Sequence, residues 1–498
     1  MSGNGGTLEQ AKATEDMMLR ELAWLWPIGV LAIGAILAVA LAMVLPRERQ
    51  RLVGAWVAGA HLTCATLAAA VWLDRGFRST MSGTVQVDGL SLALAGIVGV
   101  AGAACVALAA PALQGTDRQG EFYAVLTFAS LCCVLLGSAA DAALLALAIA
   151  ALGLATFVLT GYRRGSTRAN EASIKFYVFG TVSGAVMVYG LSWWFGLAGT
   201  TSLRTIGVAL QDAPSGMVAV STALVLVGLF YKAAVVPFHF WTPDAYDGAP
   251  LAVAAYLSVL PKLAGLVALA RVLTLALPGD LAGWSTVVAL AAALTMSLGN
   301  LAALRQHSAV RLLAYSSIAQ SGYLLMAVAA LERSERALPA LVYYAIAYAV
   351  ANLAAFAVVI AVQRERGSVD LSAFAGLGRR HPWQAAALGL SLLSLVGIPP
   401  VTGFVGKLEL FAASIDAGQS WLAVVAVVNT VVSLFYYLRL LAPAVLEPSA
   451  AAPSSLTRSR DARGALRVAL VSAAVAVLAF GVAAQPLLAL AEHAAMLV

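Results

Sequence analysis

Lysine is the residue whose placement in this sequence most clearly suggests chemistry. Only five of the 30 lysine and arginine residues are lysines, and four of these stand at the start of or within apolar runs: Lys175, Lys232, Lys262 and Lys407. An ionisable group inside a membrane helix costs at least about 2.5–3.5 kcal/mol. Arginine would supply a fixed charge, whereas lysine can lose its proton when it is desolvated or crowded by another cation. The pattern predicts proton exchange at the three lysines well inside the runs. The alternative is that each pairs with a carboxylate or carbonyl.

Two apolar runs share a second feature, which is proline close to a lysine. The first reads LVGLFYKAAVVPFHFWTPDAY around Pro237, and the second reads LSLLSLVGIPPVTGFVGKLELF around Pro399 and Pro400. Proline removes a backbone hydrogen bond and clashes with the preceding turn, so both runs are predicted to be interrupted helices. The alternative is a simple kink in a packing helix. His239 lies beside the first break, where it could relay protons or cap the broken helix.

The elements that must position these residues are membrane helices. The chain has 498 residues, of which 61% are hydrophobic and 11% charged, a composition that excludes a soluble enzyme. Apolar runs bounded by charges, glycine or proline predict an all-α polytopic membrane protein with about fourteen transmembrane helices. The predicted spans are 24–45, 52–73, 89–111, 122–139, 141–161, 175–196, 217–247, 250–277, 281–301, 309–330, 338–363, 383–414, 419–445 and 465–490.

The two interrupted runs are the seventh and twelfth of these spans. They are five helices apart, and a repeat of an odd number of helices inserts upside down relative to its copy, as in inverted-repeat transporters. Helices four to eight and nine to thirteen would be the two copies. The predicted divisions are a polar tail (1–21), three helices (22–111), the first repeat (112–277), the second repeat (278–445), and a loop with the last helix (446–498).

Charge and motif content narrow the function further. The formal net charge is +6, but seventeen arginines fall in loops that are cytoplasmic if the N-terminus is outside, against six on the opposite side. This bias predicts that both termini lie on the outer face. It also accounts for the positive net charge, which therefore does not indicate nucleic-acid binding. We expect no cleaved signal segment, and the four cysteines fall in apolar runs as small core residues. No nucleotide, zinc or iron–sulfur motif is visible, so no ATP or redox chemistry is expected within the chain.

Several stretches between about Glu121 and Arg439 resemble one known family. They are GEFYAVLTFASL, IKFYVFGTVSGAVMVYG, FYKAAVVPFHFWTPDAYDGAP, SVLPKLAGL, GNLAALRQHSAVRLLAYSSIAQSGYLL, SLVGIPPVTGFVGKLELF and VNTVVSLFYYLRL. The chain is similar to the antiporter-like proton-translocating membrane subunits of respiratory complex I. The resemblance implies a hydrated polar axis through Lys232, Lys262 and Lys407, with Lys262 as the central relay and Lys407 as the outlet. Lys175 and Asp141 would support it.

The same resemblance implies the setting in which the chain works. It would be a subunit of an NADH-quinone oxidoreductase in the bacterial inner membrane, a proton translocase with no redox centre in this chain. Its partners would be other membrane-arm subunits, with NAD, FMN, iron–sulfur clusters and quinone in partner subunits. Two other proton-moving assemblies share the fold: a multisubunit sodium/proton antiporter and a membrane-bound hydrogenase-type complex. Which soluble arm is attached decides between them.

Two positions depart from the family pattern. The family's fifth helix carries a glutamate that pairs with the seventh-helix lysine, and here that position is Ala150. Asp141, nine residues earlier, would lie near the membrane surface on the opposite helix face and could not replace it. Gln320 stands where related chains often have histidine, and glutamine cannot bind a proton near neutral pH. These departures motivate another alternative, a structural subunit whose proton path is impaired.

Overall fold

Long apolar stretches form helices in the computed structural model, which describes residues 23–74, 77–116, 118–448, 471 and 474–493. A backbone in hydrocarbon must satisfy its own hydrogen bonds, and an α-helix does so within one segment. The helices are α1 Trp26–Val44, α2 Arg51–Leu73, α3 Gly89–Leu113, α4 Gln119–Ser138, α5 Ala142–Thr160, α6 Thr167–Ala198, α7 Leu203–Gln211, α8 Ser215–Ala233, α9 Trp241–Gly248, α10 Leu251–Ala276, α11 Trp284–Ala303, α12 Ala309–Ala330, α13 Ala337–Arg366, α14 Leu377–Arg380, α15 Pro382–Val396, α16 Thr402–Asp416, α17 Ser420–Leu446, α18 Ala474–Val482 and α19 Gln485–Glu492. Single 3₁₀ turns span Arg47–Arg49, Met81–Gly83, Pro278–Gly283 and Leu371–Phe374.

The number of spans agrees with the sequence. In the described part, 12 helices are long and apolar enough to cross a membrane, and the bent pair α18–α19 would make 13. The remaining predicted span is divided into the halves α15 and α16, of 15 residues each. The prediction of an all-α polytopic membrane protein is confirmed. The inverted relation between the two repeats and the five divisions remain predictions, and the polar tail 1–21 lies outside the described residues.

Both predicted helix breaks are present. Helix α8 ends at Ala233, and Ala234 has a left-handed backbone with φ of 57°. The chain then passes Pro237 before α9 begins, and the backbone N–H of Val236 donates to Thr295 Oγ1 on α11 over 3.0 Å. Helix α15 ends at Val396, followed by Gly397 with φ of 89°. The break includes Pro399 and Pro400, and the backbone N–H of Gly403 donates to the Ser394 hydroxyl over 3.1 Å. Protein groups thus satisfy part of the backbone that the prolines release.

The helices that carry the chemistry lie at the centre of the bundle. Helices α10, α12 and α13 are the most completely buried of the candidate spans, whereas α1 and α6 are the least buried. The exposed face of α6 includes Ile174, Val178 and Val182, as expected for a surface in contact with lipid. Most side chains on α10 and α12 therefore meet only other protein groups, so their polar atoms depend on those neighbours.

The structure corrects the sequence prediction in four places. The last predicted helix, 465–490, is bent by 82° between α18 and α19, because Pro486 in the first turn of α19 cannot continue an earlier helix. Helix α6 begins at Thr167, capped by Ser166, so Lys175 lies two turns inside it rather than at its start. An antiparallel hairpin, Arg78–Thr80 with Val85–Val87, and the short amphipathic helix α7 were both missed.

Candidate functional site

Lys232 lies in the last turn of α8, immediately before the first break. Its side chain is 2% exposed, and the Lys232 backbone and stem pack against Gly265 of α10, where an added Cβ would lie 3.1 Å away. The thiols of Cys132 and Cys133 on α4 lie near the Lys232 ammonium group. Within the part of the chain that the structure describes, the ammonium group has no hydrogen-bond acceptor and no carboxylate at ion-pair distance. Among the residues that the structure describes, Lys232 is therefore buried without a counter-ion.

Ala150, the position of the expected glutamate, lies on the exposed side of α5. Leu147 and Leu154, which follow the same helix face, are 66% and 60% exposed. A carboxylate introduced at residue 150 would thus start from the outer surface of the bundle. Asp141 caps α5 by accepting backbone hydrogen bonds from Ala143 and Leu144 over 2.9 and 3.1 Å. Its carboxylate serves the helix terminus, as N-cap residues do.

Lys262 lies inside α10 and is 1% exposed. Its Nζ donates to the Ser317 hydroxyl on α12 over 2.5 Å, and Ser317 in turn donates to the Ala314 carbonyl over 2.8 Å. Two aromatic rings of α9 face the ammonium group, with Nζ 5.4 Å from the ring centroid of Tyr246 and 6.0 Å from that of Trp241. These distances are those of cation–π contacts. Lys262 therefore contacts both α12 and α9, the second half of the first broken helix.

Lys407 lies on α16, and its side chain is 2% exposed. Its Nζ donates to the Val396 carbonyl over 2.8 Å and to Thr430 Oγ1 over 3.2 Å, and lies 4.0 Å from the ring centroid of Tyr323. The Val396 carbonyl belongs to the last turn of α15, where a helix has unpaired acceptors and a partial negative charge. Lys407, which lies on the α16 side of the break, therefore satisfies a carbonyl at the end of α15.

Polar side chains of α12 connect the surroundings of these two lysines. Ser316, adjacent to the Lys262 partner Ser317, shares a hydrogen bond of 2.5 Å with the Tyr437 hydroxyl. Gln320 lies one turn further; its Nε2 is 3.4 Å from that hydroxyl and donates to the Leu395 carbonyl over 3.0 Å. The next carbonyl along α15 accepts from Lys407. Gln320 also accepts from the Tyr344 hydroxyl over 2.5 Å. The side chains of this connection are all buried: Ser316, Ser317 and Gln320 of α12 and Tyr437 of α17.

The remaining predicted residues are placed less centrally. His239 is 6% exposed, and within the described residues its Nδ1 has no hydrogen-bond partner. Lys175 is half-exposed and forms ion pairs with Glu171 over 2.6 Å and with Asp244 over 3.3 Å. The structure thus brings Lys262 and Lys407 into one polar region and places Lys232 against the same helix as Lys262. It gives Lys175 and Asp141 partners elsewhere.

One buried charged group was missed altogether. Arg271 on α10 is fully buried and forms a bidentate ion pair with Asp88, with two N–O distances of 2.7 Å. Its Nε donates to the Gly137 carbonyl over 2.9 Å, and it also donates to the Gln86 side chain. The signal was available, since a charged residue inside an apolar run requires a partner. The hydroxyl partners Ser317 and Thr430 carry no comparable signal in the sequence.

Comparisons with known proteins place this chain in a family. A family described as "NADH:quinone oxidoreductase/Mrp antiporter, TM" matches residues 139–433. NADH-quinone oxidoreductase subunit N 1 of Streptomyces griseus is 40% identical over 87% of this chain and 90% of its own length. A chain of respiratory complex I from Thermus thermophilus is 33% identical, with a TM-score of 0.77 over 94% of this chain and 99% of that one. A chain of the Mrp complex from Dietzia has the same fold at 24% identity and a TM-score of 0.83, covering 95% of this chain and 97% of its own.

The fold and the match along most of the chain define a class, the antiporter-like membrane subunits. This chain belongs to the NADH:quinone oxidoreductase/Mrp antiporter membrane-subunit family. Within that family, it is similar to proteins named subunit N of NADH-quinone oxidoreductase.

Proposed function

We propose that the chain is a proton-translocating membrane-arm subunit of an NADH-quinone oxidoreductase, in which protons move along Lys232, Lys262 and Lys407. The observation that carries the proposal is the nature of the lysine partners. Within the described residues, Lys262 and Lys407 donate to hydroxyls and a carbonyl, and Lys232 has no carboxylate at ion-pair distance. A lysine with a merely structural role would be expected to pair with a carboxylate or a carbonyl; among the described residues Lys407 has such a partner in Val396, whereas Lys232 and Lys262 do not.

These partners accept a hydrogen bond from lysine in either protonation state. A carbonyl accepts from an ammonium group or from a neutral amine, and a hydroxyl can also donate to the amine lone pair. The amine can therefore release and regain a proton without leaving a buried partner unsatisfied, whereas an aspartate or glutamate partner would become an uncompensated buried charge.

The proposed mechanism is electrostatic. Reduction of quinone in a partner subunit changes the charge next to this chain, and Lys232 responds first because no carboxylate of the described residues holds its proton in place. The proton passes to Lys262 and then along the polar side chains of α12 to Lys407. Repulsion between neighbouring ammonium groups in a medium of low dielectric constant drives each step. Release occurs from Lys407 towards the outer face.

The electron-transfer chemistry belongs to the partners in this proposal. Among the described residues, no group of three or more His, Cys, Asp or Glu side chains could hold a metal ion. We propose that NAD, FMN, the iron–sulfur clusters and quinone belong to partner subunits, and that this chain binds other membrane-arm subunits and lipid. The arginine distribution supports a bacterial inner-membrane location with both termini on the periplasmic side.

The test is the number of protons moved per electron in the assembled complex. In inside-out vesicles oxidising NADH, Lys232→Ala, Lys262→Ala and Lys407→Ala should each lower that ratio, while Lys12→Ala, a lysine outside the apolar runs, should leave it unchanged. Wild-type ratios in all three variants would refute the proposal and indicate a structural subunit. Sodium-dependent pH recovery without electron donors would instead indicate a sodium/proton antiporter, and a copurifying hydrogenase arm would indicate a hydrogenase-type complex.

A further inference from the structure

Helix α9, the short second half of the first broken helix, is held by contacts outside itself. It has 8 residues, too few to be stable as an isolated helix. At its start, the Trp241 indole N–H donates to the Tyr231 carbonyl over 2.9 Å, and the ring stacks on Phe176 of α6 with centroids 4.4 Å apart. At its end, Gly248 packs so closely on α6 that an added Cβ would lie 2.3 Å from the Cβ of Ala172.

Ion pairs attach the same short helix to two neighbours. Asp244 is 3.3 Å from Lys175 Nζ on α6 and 3.3 Å from Arg311 Nη1 on α12. Asp247 is 3.5 Å from the same Arg311 atom and also pairs with Arg168 on α6. We call these five residues the α9 clamp. Its two carboxylates bind cations of α6 and of α12, so α9 is tied to helices of both predicted repeats.

The other contacts of α9 lead to the central lysine. Tyr246 lies between the two clamp carboxylates in the sequence, and its ring faces the Lys262 ammonium group. The Tyr246 hydroxyl is also 3.4 Å from the Ser317 hydroxyl, the acceptor of the Lys262 hydrogen bond. A displacement of α9 would therefore change the surroundings of Lys262, although no clamp residue contacts Lys262 directly.

We propose that Asp244 and Asp247 are positioning residues, which hold α9 so that Tyr246 and Trp241 stay against Lys262. This inference rests on the proposed function, because it assigns positioning residues to the same proton relay. Networks of surface charges contribute by holding groups in register rather than by large pairwise energies. Neutralising both carboxylates removes the ion pairs between α9 and its neighbours and leaves packing and the Trp241 hydrogen bond to fix the helix.

The first measurement follows the position of α9. Spin labels at Phe240→Cys and Leu301→Cys, side chains that are 58% and 59% exposed, report the distance between the start of α9 and α11. The four native cysteines are buried, so the introduced thiols react first. In the assembled complex, Asp244→Asn with Asp247→Asn should change the ratio of displaced to wild-type label distances by about two- to thirtyfold. Asp280→Asn is the matched control, since Asp280 also pairs with an arginine, Arg333, over 2.8 Å.

The second measurement is the number of protons moved per electron, normalised to assembled complex so that loss of material does not affect it. The double variant should lower this ratio towards that of Lys262→Ala, Asp244→Glu with Asp247→Glu should restore it, and Asp280→Asn should match the wild type. An unchanged label distance overturns the inference, and so does an unchanged proton ratio in the double variant when Lys262→Ala lowers that ratio. If the distance shifts and Lys262→Ala pumps normally, the proposed function fails while the positioning of α9 by the clamp stands.

Discussion

Arg271→Met should destabilise the fold more than the loss of an exposed arginine does. The guanidinium of Arg271 is fully buried and holds Asp88 through two contacts of 2.7 Å, and the Asp88 side chain also accepts from the backbone N–H of Ser91 at the start of α3 over 2.9 Å. Removing one partner of a buried ion pair leaves an uncompensated charge and costs about 3–5 kcal/mol. The hairpin residue Gln86 and the Gly137 carbonyl also lose their donor.

The expected shift in melting temperature follows from the size of the chain. An unfolding entropy of roughly 2.1 cal/mol/K per residue gives about 1 kcal/mol/K for a chain of 498 residues. The melting midpoint should therefore fall by about 3–5 °C. A thiol-reactive fluorescent dye is a suitable probe for the purified full-length chain, because all four native cysteines are buried and react only on unfolding.

Two further variants separate the buried charge from simple loss of packing. Arg333→Met removes an ion pair to Asp280 of similar length, but Arg333 is 49% exposed, so the cost should be about 0–1 kcal/mol. In the double variant, Asp88→Asn beside Arg271→Met removes the buried charge and keeps a side-chain oxygen to cap α3, so it should recover much of the loss. A single variant as stable as the wild type, or a double variant less stable than Arg271→Met, would refute the reasoning.

Two other substitutions test the surroundings of Lys407. Gly397→Ala places a methyl group 2.8 Å from Lys407 Cδ at a φ of 89°, so it should lower the number of protons moved per electron. Gly367→Ala is the control, because Gly367 has a φ of 74° and open space around it. Both variants should cost about 1–2 kcal/mol of backbone strain, but Gly367→Ala should leave the proton ratio unchanged. Equal ratios in the two variants would contradict this. Gln320→Leu should also lower the proton ratio, since it removes the acceptor of the Tyr344 hydrogen bond and the donor to the Leu395 carbonyl. Gln320→His should restore the ratio at least in part. NADH-driven acidification of vesicles measures both variants, and a normal ratio in Gln320→Leu would exclude Gln320 from the path.

The architecture was largely predictable because its causes are local. The length of each apolar run sets a span, and both predicted breaks contain proline, at Pro237 and at Pro399–Pro400. Proline alone does not decide a break, since Pro261 stands inside the continuous helix α10. The bend before α19 could have been predicted on the same grounds, since Pro486 lies inside the last predicted helix. Helix α7 is too short and too amphipathic to stand out in a search for long apolar runs.

The site was predictable only in part. Lysine in an apolar run is rare enough to be noticed, and Lys232, Lys262 and Lys407 are all buried in the structure. Their partners could not be identified, because serine, threonine and tyrosine are common in membrane helices and only packing determines which of them meets a lysine. The exposed position of Ala150 and the tie between Asp244 and both α6 and α12 likewise depend on how helices distant in sequence pack together.

The most direct test of the central claim replaces Lys262 with a cation that keeps its proton. Lys262→Arg retains the positive charge and can still donate to Ser317, but an arginine side chain does not deprotonate in a protein. If Lys262 relays protons, the assembled Lys262→Arg complex should oxidise NADH but move fewer protons per electron, to the level of Lys262→Ala. A wild-type ratio in Lys262→Arg would show that only a fixed charge is needed at this position, and would contradict the account.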